Sequence, residues 1–352
     1  MSSHSFILIS DIVMVIKLHI KIIVATIFIL ACIGLTISMN RESLEKISNR
    51  SSVTPVISYL DLRKHKGIKV IFLGSSRIKS CIKTDLFSKL SGIDKSKILV
   101  LQSNGAGTWE ELLFFRKISG QLDPSALVVI EIEPWMLNKN VYPLGAEEIA
   151  FLTWSTFKER LEFPDIRKKS FLLVDYFSPI SQRRTLGDWS TLIHSLIVGK
   201  YPQPYNPDEI PEYHYKKSSY EKLATDLKFS VYKQMRLLWN FKFAEYKAEY
   251  LKRLISLAEN KSRNIVILQP PLRNEYIEVI KAFPQLLNAE MEYLSFINSL
   301  EGTKVHTIVW ERPEECGLND AVFIDYGHFN LKGSYAFTQV FFNELKSNGL
   351  IE

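Results

Sequence analysis

Apolar residues gather in three short runs in the first part of the chain: "IKVIFL" (68–73), "KILVLQ" (97–102) and "ALVVIEIEP" (126–134). Each is rich in branched side chains and ends in Gly, Ser or Pro, the pattern of a buried strand. The intervening segments change period. In "RIKSCIKTDLFSKL", Ile78, Cys81, Ile82, Leu86 and Leu90 recur at helical spacing, which predicts a helix starting after Ser76. "TWEELLFFRKIS" (108–119) reads as a second, amphipathic helix with Thr108 as its N-cap and Glu111 three residues on. Asp123-Pro124 ends it. Strand, helix, strand, helix, strand implies right-handed crossovers and a parallel sheet.

The alternation then stops. Residues 135–235 are aromatic-rich and broken by proline, which predicts a mainly helical insertion, either a packing subdomain or a lid over the sheet edge. Regularity returns with a helix at 236–258, a strand at 264–271 ended by two prolines and a helix near 282–299. A strand at 304–310 and a helix at 333–347 complete it. The fold class expected is therefore α/β, a three-layer sandwich around a central parallel sheet built from both ends of a domain at 67–352. The loop after Leu73 must then lie near the loop carrying Asp325 and His328.

One apolar stretch belongs to neither period. Residues 22–39, "IIVATIFILACIGLTISM", carry no charge and as a helix would span about 27 Å, close to a hydrocarbon core of ~30 Å. Lys17 and Lys21 precede it, which sets residues 1–21 in the cytoplasm and the rest of the chain outside. No A-x-A-like site ends the run, so it reads as an uncleaved single-pass anchor in the cell membrane rather than a signal peptide. Residues 40–66, polar and basic, read as a linker.

Composition changes this picture little. The chain has 352 residues, 46% hydrophobic and 23% charged, which is ordinary for a globular protein with ample core. The net charge of +6 is spread along the chain, with no basic stripe interleaved with aromatics. No nucleic-acid partner is therefore expected. Three cysteines are too few for a disulfide framework. Cys32 lies in the anchor, and the spacing leaves open whether Cys81 and Cys316 pair. No His/Cys spacing suggests a metal, and no cofactor is expected.

Four short pieces carry the chemistry: Gly74-Ser75-Ser76, Asn104-Gly105-Ala106-Gly107, Glu131-Ile132-Glu133-Pro134 and Asp325-Tyr326-Gly327-His328. Each is an ordinary turn by itself. Together, the first three follow predicted strands and share one sheet edge, while the fourth precedes the last helix. A serine hydroxyl needs a base to take its proton, and a histidine does so when a carboxylate holds its other nitrogen. Asp325 and His328, three apart, can meet on one turn. The backbone N–H groups of Ser76 and Gly107 would face the oxyanion. Arg77 either binds an anionic substrate group or sits on a helix face, and Trp135 either lines the site or is core. Glu131 and Glu133 are expected on opposite faces of their strand end, which would exclude a glycosidase pair.

These motifs resemble the SGNH/GDSL hydrolase superfamily over residues 68–134 and 264–347. Ser76 matches its nucleophile, with Ser75 where aspartate is usual. Asn104 and Gly107 match its second block, and Asp325 and His328 its last block, with "HFNLKG" continuing it. The third block departs: "EIEPWMLN" has no asparagine at the matching place, and Asn138 is a candidate substitute. The resemblance implies an SGNH-hydrolase/flavodoxin-like sandwich with Ser76, Asp325 and His328 as catalytic triad, and Ser76, Gly107 and Asn104 at the oxyanion hole. With the anchor, it is similar to membrane-anchored bacterial proteins of cell-envelope acylation such as the D-alanyl-lipoteichoic acid protein DltD. The implied activity is esterase or O-acyltransferase chemistry, with an acyl donor and a carbohydrate or water acceptor. The alternative is a catalytically degenerate member serving binding or assembly.

Overall fold

The computed structural model describes residues 66–102, 105–141, 235, 237–262 and 264–351, together with Thr26. Five strands form one parallel sheet: β1 (Ile68–Gly74), β2 (Ile98–Gln102), β3 (Leu122–Glu131), β4 (Asn264–Gln269) and β5 (Val305–Val309), in the order β2-β1-β3-β4-β5. Seven helices of more than one turn accompany them among the described residues. They are α1 (Ser76–Cys81), α2 (Thr84–Ser91), α3 (Thr108–Ile118), α4 (Glu245–Glu259), α5 (Asn274–Ala282), α6 (Pro284–Asn298) and α7 (Leu331–Ser347).

The strands are apolar on both faces because both are covered. Residues of one parity, Val70, Phe72, Leu127, Val129, Val266 and Leu268, join a single core with Ile78 of α1, Phe87 of α2 and Phe337 and Phe341 of α7. Phe72 meets Phe87 edge-on at 5.3 Å and Phe341 at 6.4 Å. Burying each such ring contributes about 1.5–3 kcal/mol. The alternate residues, Ile71, Val128, Ile130, Ile265 and Ile267, are equally buried. Helices α3 and α4 pack on each other and reach β1 and β4.

The predicted helix after Ser76 is two helices. Ile82 is extended (φ −103°, ψ 125°) and α2 starts afresh at Thr84. The helical spacing survives because Cys81, Ile82 and Phe87 all enter the same core. The helix predicted at 236–258 begins only at Glu245, since 237–240 are turns. The region near 282–299 holds two helices, with Phe283 extended ahead of Pro284; a residue before proline is biased away from the helical region. Cys81 and Cys316 are both free thiols in one core cluster, so the pairing left open by the sequence is absent.

Residues 142–234, most of the predicted insertion, lie outside the described residues. The points where the chain leaves the sheet and returns are described, and they meet. Asn138 bridges Phe243 antiparallel, Lys139 N–H donates to Lys242 O at 2.7 Å, and Ala244 N–H to Leu137 O at 2.9 Å. The predicted anchor, residues 22–39, also lies outside them except for Thr26. Among the described residues no helix is long and apolar enough to cross a membrane.

Candidate active site

Strand β1 delivers its C-terminal end to helix α1 through Gly74 and Ser75. The turn is built around one buried carboxylate. Glu131, the last residue of β3, accepts from Ser75 N–H (2.8 Å), Ser75 Oγ–H (2.8 Å) and Ile78 N–H (2.9 Å). Ser75 Oγ in turn accepts from Arg77 N–H at 3.1 Å, the usual work of an N-cap. Gly74 is required by this approach: a Cβ there would lie 2.3 Å from Glu131 Oε2. Two first-turn N–H groups are thus satisfied, those of Arg77 and Ile78. The Ser76 N–H has no partner among the described residues.

Ser76 projects the other way. Its Oγ lies 2.8 Å from His328 Nε2, and His328 Nδ1 lies 2.8 Å from Asp325 Oδ2. The histidine loop is held by Asp325 itself, whose Oδ1 accepts from Gly327 N–H (3.0 Å) and His328 N–H (2.8 Å). Burial pushes the Asp325 carboxyl up, but the His328 contact and these two backbone donors prevail and hold it below the usual aspartate range. An ionised Asp325 fixes the tautomer: Nδ1 carries the proton, and Nε2 is left to accept from Ser76 Oγ–H. The His328 and Asp325 side chains are about a quarter exposed, at 23% and 26%, so the pair is in contact with solvent.

The other predicted site residues are placed differently. Gly107 N–H donates to Glu110 Oε2 at 2.9 Å, closing the N-terminus of α3, and is therefore engaged rather than presented to an oxyanion. The N-cap is Gly107, one residue before the expected Thr108. The shift sets Glu110 at the cap and turns Glu111 into the interior, where it is fully buried. Gly107 has φ −111°, open to any residue, whereas Gly105, at φ 71°, is where the loop needs glycine. Asn104 lies outside the described residues. Asn138 is buried, with Nδ2 donating to Leu237 O (2.5 Å) and Oδ1 accepting from Asn140 and Lys242 N–H. It closes the base of the insertion and does not replace the missing third-block donor.

Arg77 neither meets solvent nor lies on an open helix face. It is 1% exposed, and its guanidinium is spent on protein. Nε donates to Gly327 O (3.1 Å), and Nη2 to Pro270 O (2.8 Å) and Pro271 O (3.0 Å). Nη1 faces Glu133 Oε2 at 3.0 Å as an ion pair without hydrogen-bond alignment. Glu131 and Glu133 serve the same helix. Residues two apart on a strand share a face, so the expectation of opposite faces was wrong. Burial pulls the Arg77 guanidinium down, but Glu133 and Glu131 override it and raise it further. Burial, then Glu133, pushes the Glu131 carboxyl up to about 8. Two carboxyls and one guanidinium are neutral together when they share one proton, the charge state a dry site favours. The sequence placed Glu131 at the same sheet edge as Ser76 but gave no sign that it accepts from the N–H groups of the turn and first helical turn.

Trp135 is 8% exposed. It lines a cleft of about 20 Å³ with Gly107, Met136, Tyr246 and Tyr250, room for about one water. Its ring is buried, as the core reading expects, and the cleft it borders includes none of Ser76, Asp325 and His328. No group of His, Cys, Asp and Glu suited to a metal occurs among the described residues. No family model matches the sequence, and no curated protein matches it.

Proposed function

We propose that the chain is a membrane-anchored serine acyl-transfer enzyme of SGNH type, an esterase or O-acyltransferase acting outside the cytoplasm on envelope glycans or their precursors. The observation that carries the reading is the hydrogen-bonded chain Ser76 Oγ–His328 Nε2–His328 Nδ1–Asp325 Oδ2, with both links at 2.8 Å. The sheet order supports it, since β2-β1-β3-β4-β5 is the flavodoxin-like order. Its switch point lies between β1 and β3, where Ser76 and Glu131 sit.

In this mechanism His328 takes the Ser76 proton as Oγ bonds the acyl carbon, and the carbonyl π pair moves onto oxygen. The Ser76 N–H faces that oxyanion. Collapse expels the leaving oxygen, which receives the proton from His328. Water or a sugar hydroxyl then repeats the sequence on the acyl-serine, restoring Ser76. Asp325 stabilises the imidazolium throughout.

One observation favours the second reading, a degenerate fold used for binding or assembly. Gly107 N–H is bonded to Glu110 and Asn138 is committed elsewhere, so among the described residues the Ser76 N–H is the one free donor of those considered. The deciding test is fluorophosphonate labelling of the full-length chain in mild detergent, read by intact mass. Labelling of the parent, lost in Ser76→Ala and His328→Ala, supports the enzyme. An unlabelled but folded parent favours the binding protein.

A further inference from the structure

We propose that Arg77 is a positioning residue for the serine–histidine pair: its guanidinium, balanced by Glu133, fixes the Gly327–His328 peptide relative to the helix that carries Ser76. The inference rests on the acyl-transfer reading and names the element that would set its geometry.

Arg77 follows Ser76 directly, so its backbone and the nucleophile's move together. Its side chain reaches three other segments of the sheet edge: Gly327 in the histidine loop, Pro270 and Pro271 after β4, and Glu133 after β3. The contact with Gly327 is the informative one. Its carbonyl shares a peptide with His328 N–H, which donates to Asp325 Oδ1 at 2.8 Å. The peptide is therefore gripped from both sides, by Arg77 on oxygen and by Asp325 on nitrogen. His328 is the next residue, and Nε2 must arrive 2.8 Å from Ser76 Oγ.

Two features suit this role over substrate binding. First, the guanidinium donates in several fixed directions and here meets three carbonyl acceptors and pairs with one carboxylate, which a lysine ammonium on a flexible stem does not reproduce. Second, Gly327 is shaped to admit it: a Cβ there would lie 2.8 Å from Arg77 Nε and 3.2 Å from Cζ. A displacement of about 1 Å between reacting groups costs on the order of 10²-fold in rate, so such a clamp has a rate to protect.

The test uses full-length chain labelled with ¹⁵N-histidine, as parent, Arg77→Lys, Glu133→Gln and Gly327→Ala. Fluorophosphonate labelling gives the saturating rate and the half-saturating concentration separately. NMR reports the His328 Nδ1–H that donates to Asp325, assigned by its loss in His328→Gln. The expected result is a roughly 10²-fold lower saturating rate in Arg77→Lys and Gly327→Ala, with half-saturation unchanged and the Nδ1–H resonance shifted or exchange-broadened. Glu133→Gln should show a smaller change of the same kind. An Nδ1–H signal and saturating rate like the parent's in folded Arg77→Lys would overturn the proposal. So would a loss confined to half-saturation, which would make Arg77 a substrate ligand. If Arg77→Lys fails to fold, Gly327→Ala decides, since it moves the peptide and keeps the guanidinium. If the parent itself does not label, the acyl-transfer reading fails, while the Nδ1–H signal still shows whether Arg77 positions His328.

Discussion

Replacing Glu131 should separate a structural carboxylate from a merely buried one. In Glu131→Ala, three donors lose their acceptor: Ser75 N–H, Ser75 Oγ–H and Ile78 N–H, all at 2.8–2.9 Å in the parent. Each orphaned buried donor costs about 1–3 kcal/mol. The three share one acceptor and do not add fully, so the expected loss is about 3–5 kcal/mol. Glu131→Gln keeps an oxygen for the two N–H groups and offers an amide N–H to Ser75 Oγ, so its loss should stay near 1 kcal/mol. Urea unfolding of the full-length chain in mild detergent, followed by tryptophan fluorescence, measures both. A pH series adds a second check. The folded carboxyl, at about 8, stands above its ordinary 4.5. Its contribution is complete below pH 4.5 and is lost as pH rises toward 8. Relative to the parent, Glu131→Gln should therefore lose less stability between pH 5 and 8. An alanine variant within 1 kcal/mol of the parent, a glutamine variant as unstable as alanine, or parallel pH slopes would each refute the reasoning.

Other expectations follow from the same geometry. Asp325→Asn should cut fluorophosphonate labelling by about 10³–10⁴-fold, because the amide no longer enforces the Nδ1–H tautomer. Asp325 is held below its ordinary 3.8, so its contribution to stability is present above pH 3.8 and fades as pH falls through its lowered value. Denaturation below pH 4 should accordingly be shallower in that variant. Gly107→Ala should cost under about 1 kcal/mol and leave labelling unchanged, since φ is −111° and the nearest atom to a Cβ, Glu110 Oε2, is 3.4 Å away; a large rate loss would return Gly107 to the oxyanion hole. Gly333→Ala would place a Cβ 2.3 Å from Val322 O, a backbone atom, and should destabilise by about 2–3 kcal/mol in thermal unfolding. In a Cys32→Ser background no thiol should react with Ellman's reagent until unfolding, after which two should. Cys81 is fully buried with its thiol pushed well up, and burial pushes Cys316 up to about 12.

The sheet was legible because buried parallel strands leave an unambiguous trace. "IKVIFL", "KILVLQ" and "NIVILQ" are apolar on both faces and bounded by breakers, and each observed strand lies within about two residues of its run except β3, which starts early at Leu122 and stops at Glu131, short of Pro134. Helices were less legible where tertiary contacts override periodicity. Cys81 and Ile82 continue the helical spacing of α1 and α2, yet the chain is extended between them because Lys83 N–H donates to Thr338 Oγ1 of α7. That contact spans 255 residues, and no local window contains it.

The site divides along the same line. Ser76, Asp325 and His328 were readable because a serine after the first strand and an Asp-x-x-His before the last helix converge in any sheet closed by both chain ends, and the hydrogen bonds at 2.8 Å agree with that convergence. The supporting groups were not readable, since their roles depend on offsets of one residue. Placing the cap at Thr108 pairs it with Glu111; the actual cap, Gly107, pairs with Glu110 and ties up the N–H assigned to the oxyanion. Arg77 looked like a surface cation because its helix is short and polar by composition, and only the approach of Gly327, Pro270 and Pro271 makes its position interior. A charged residue beside a nucleophile thus has two physical fates. Facing solvent, it recruits substrate. Buried against backbone carbonyls and one carboxylate, it is out of reach of a ligand in solvent and acts by fixing the loops it touches.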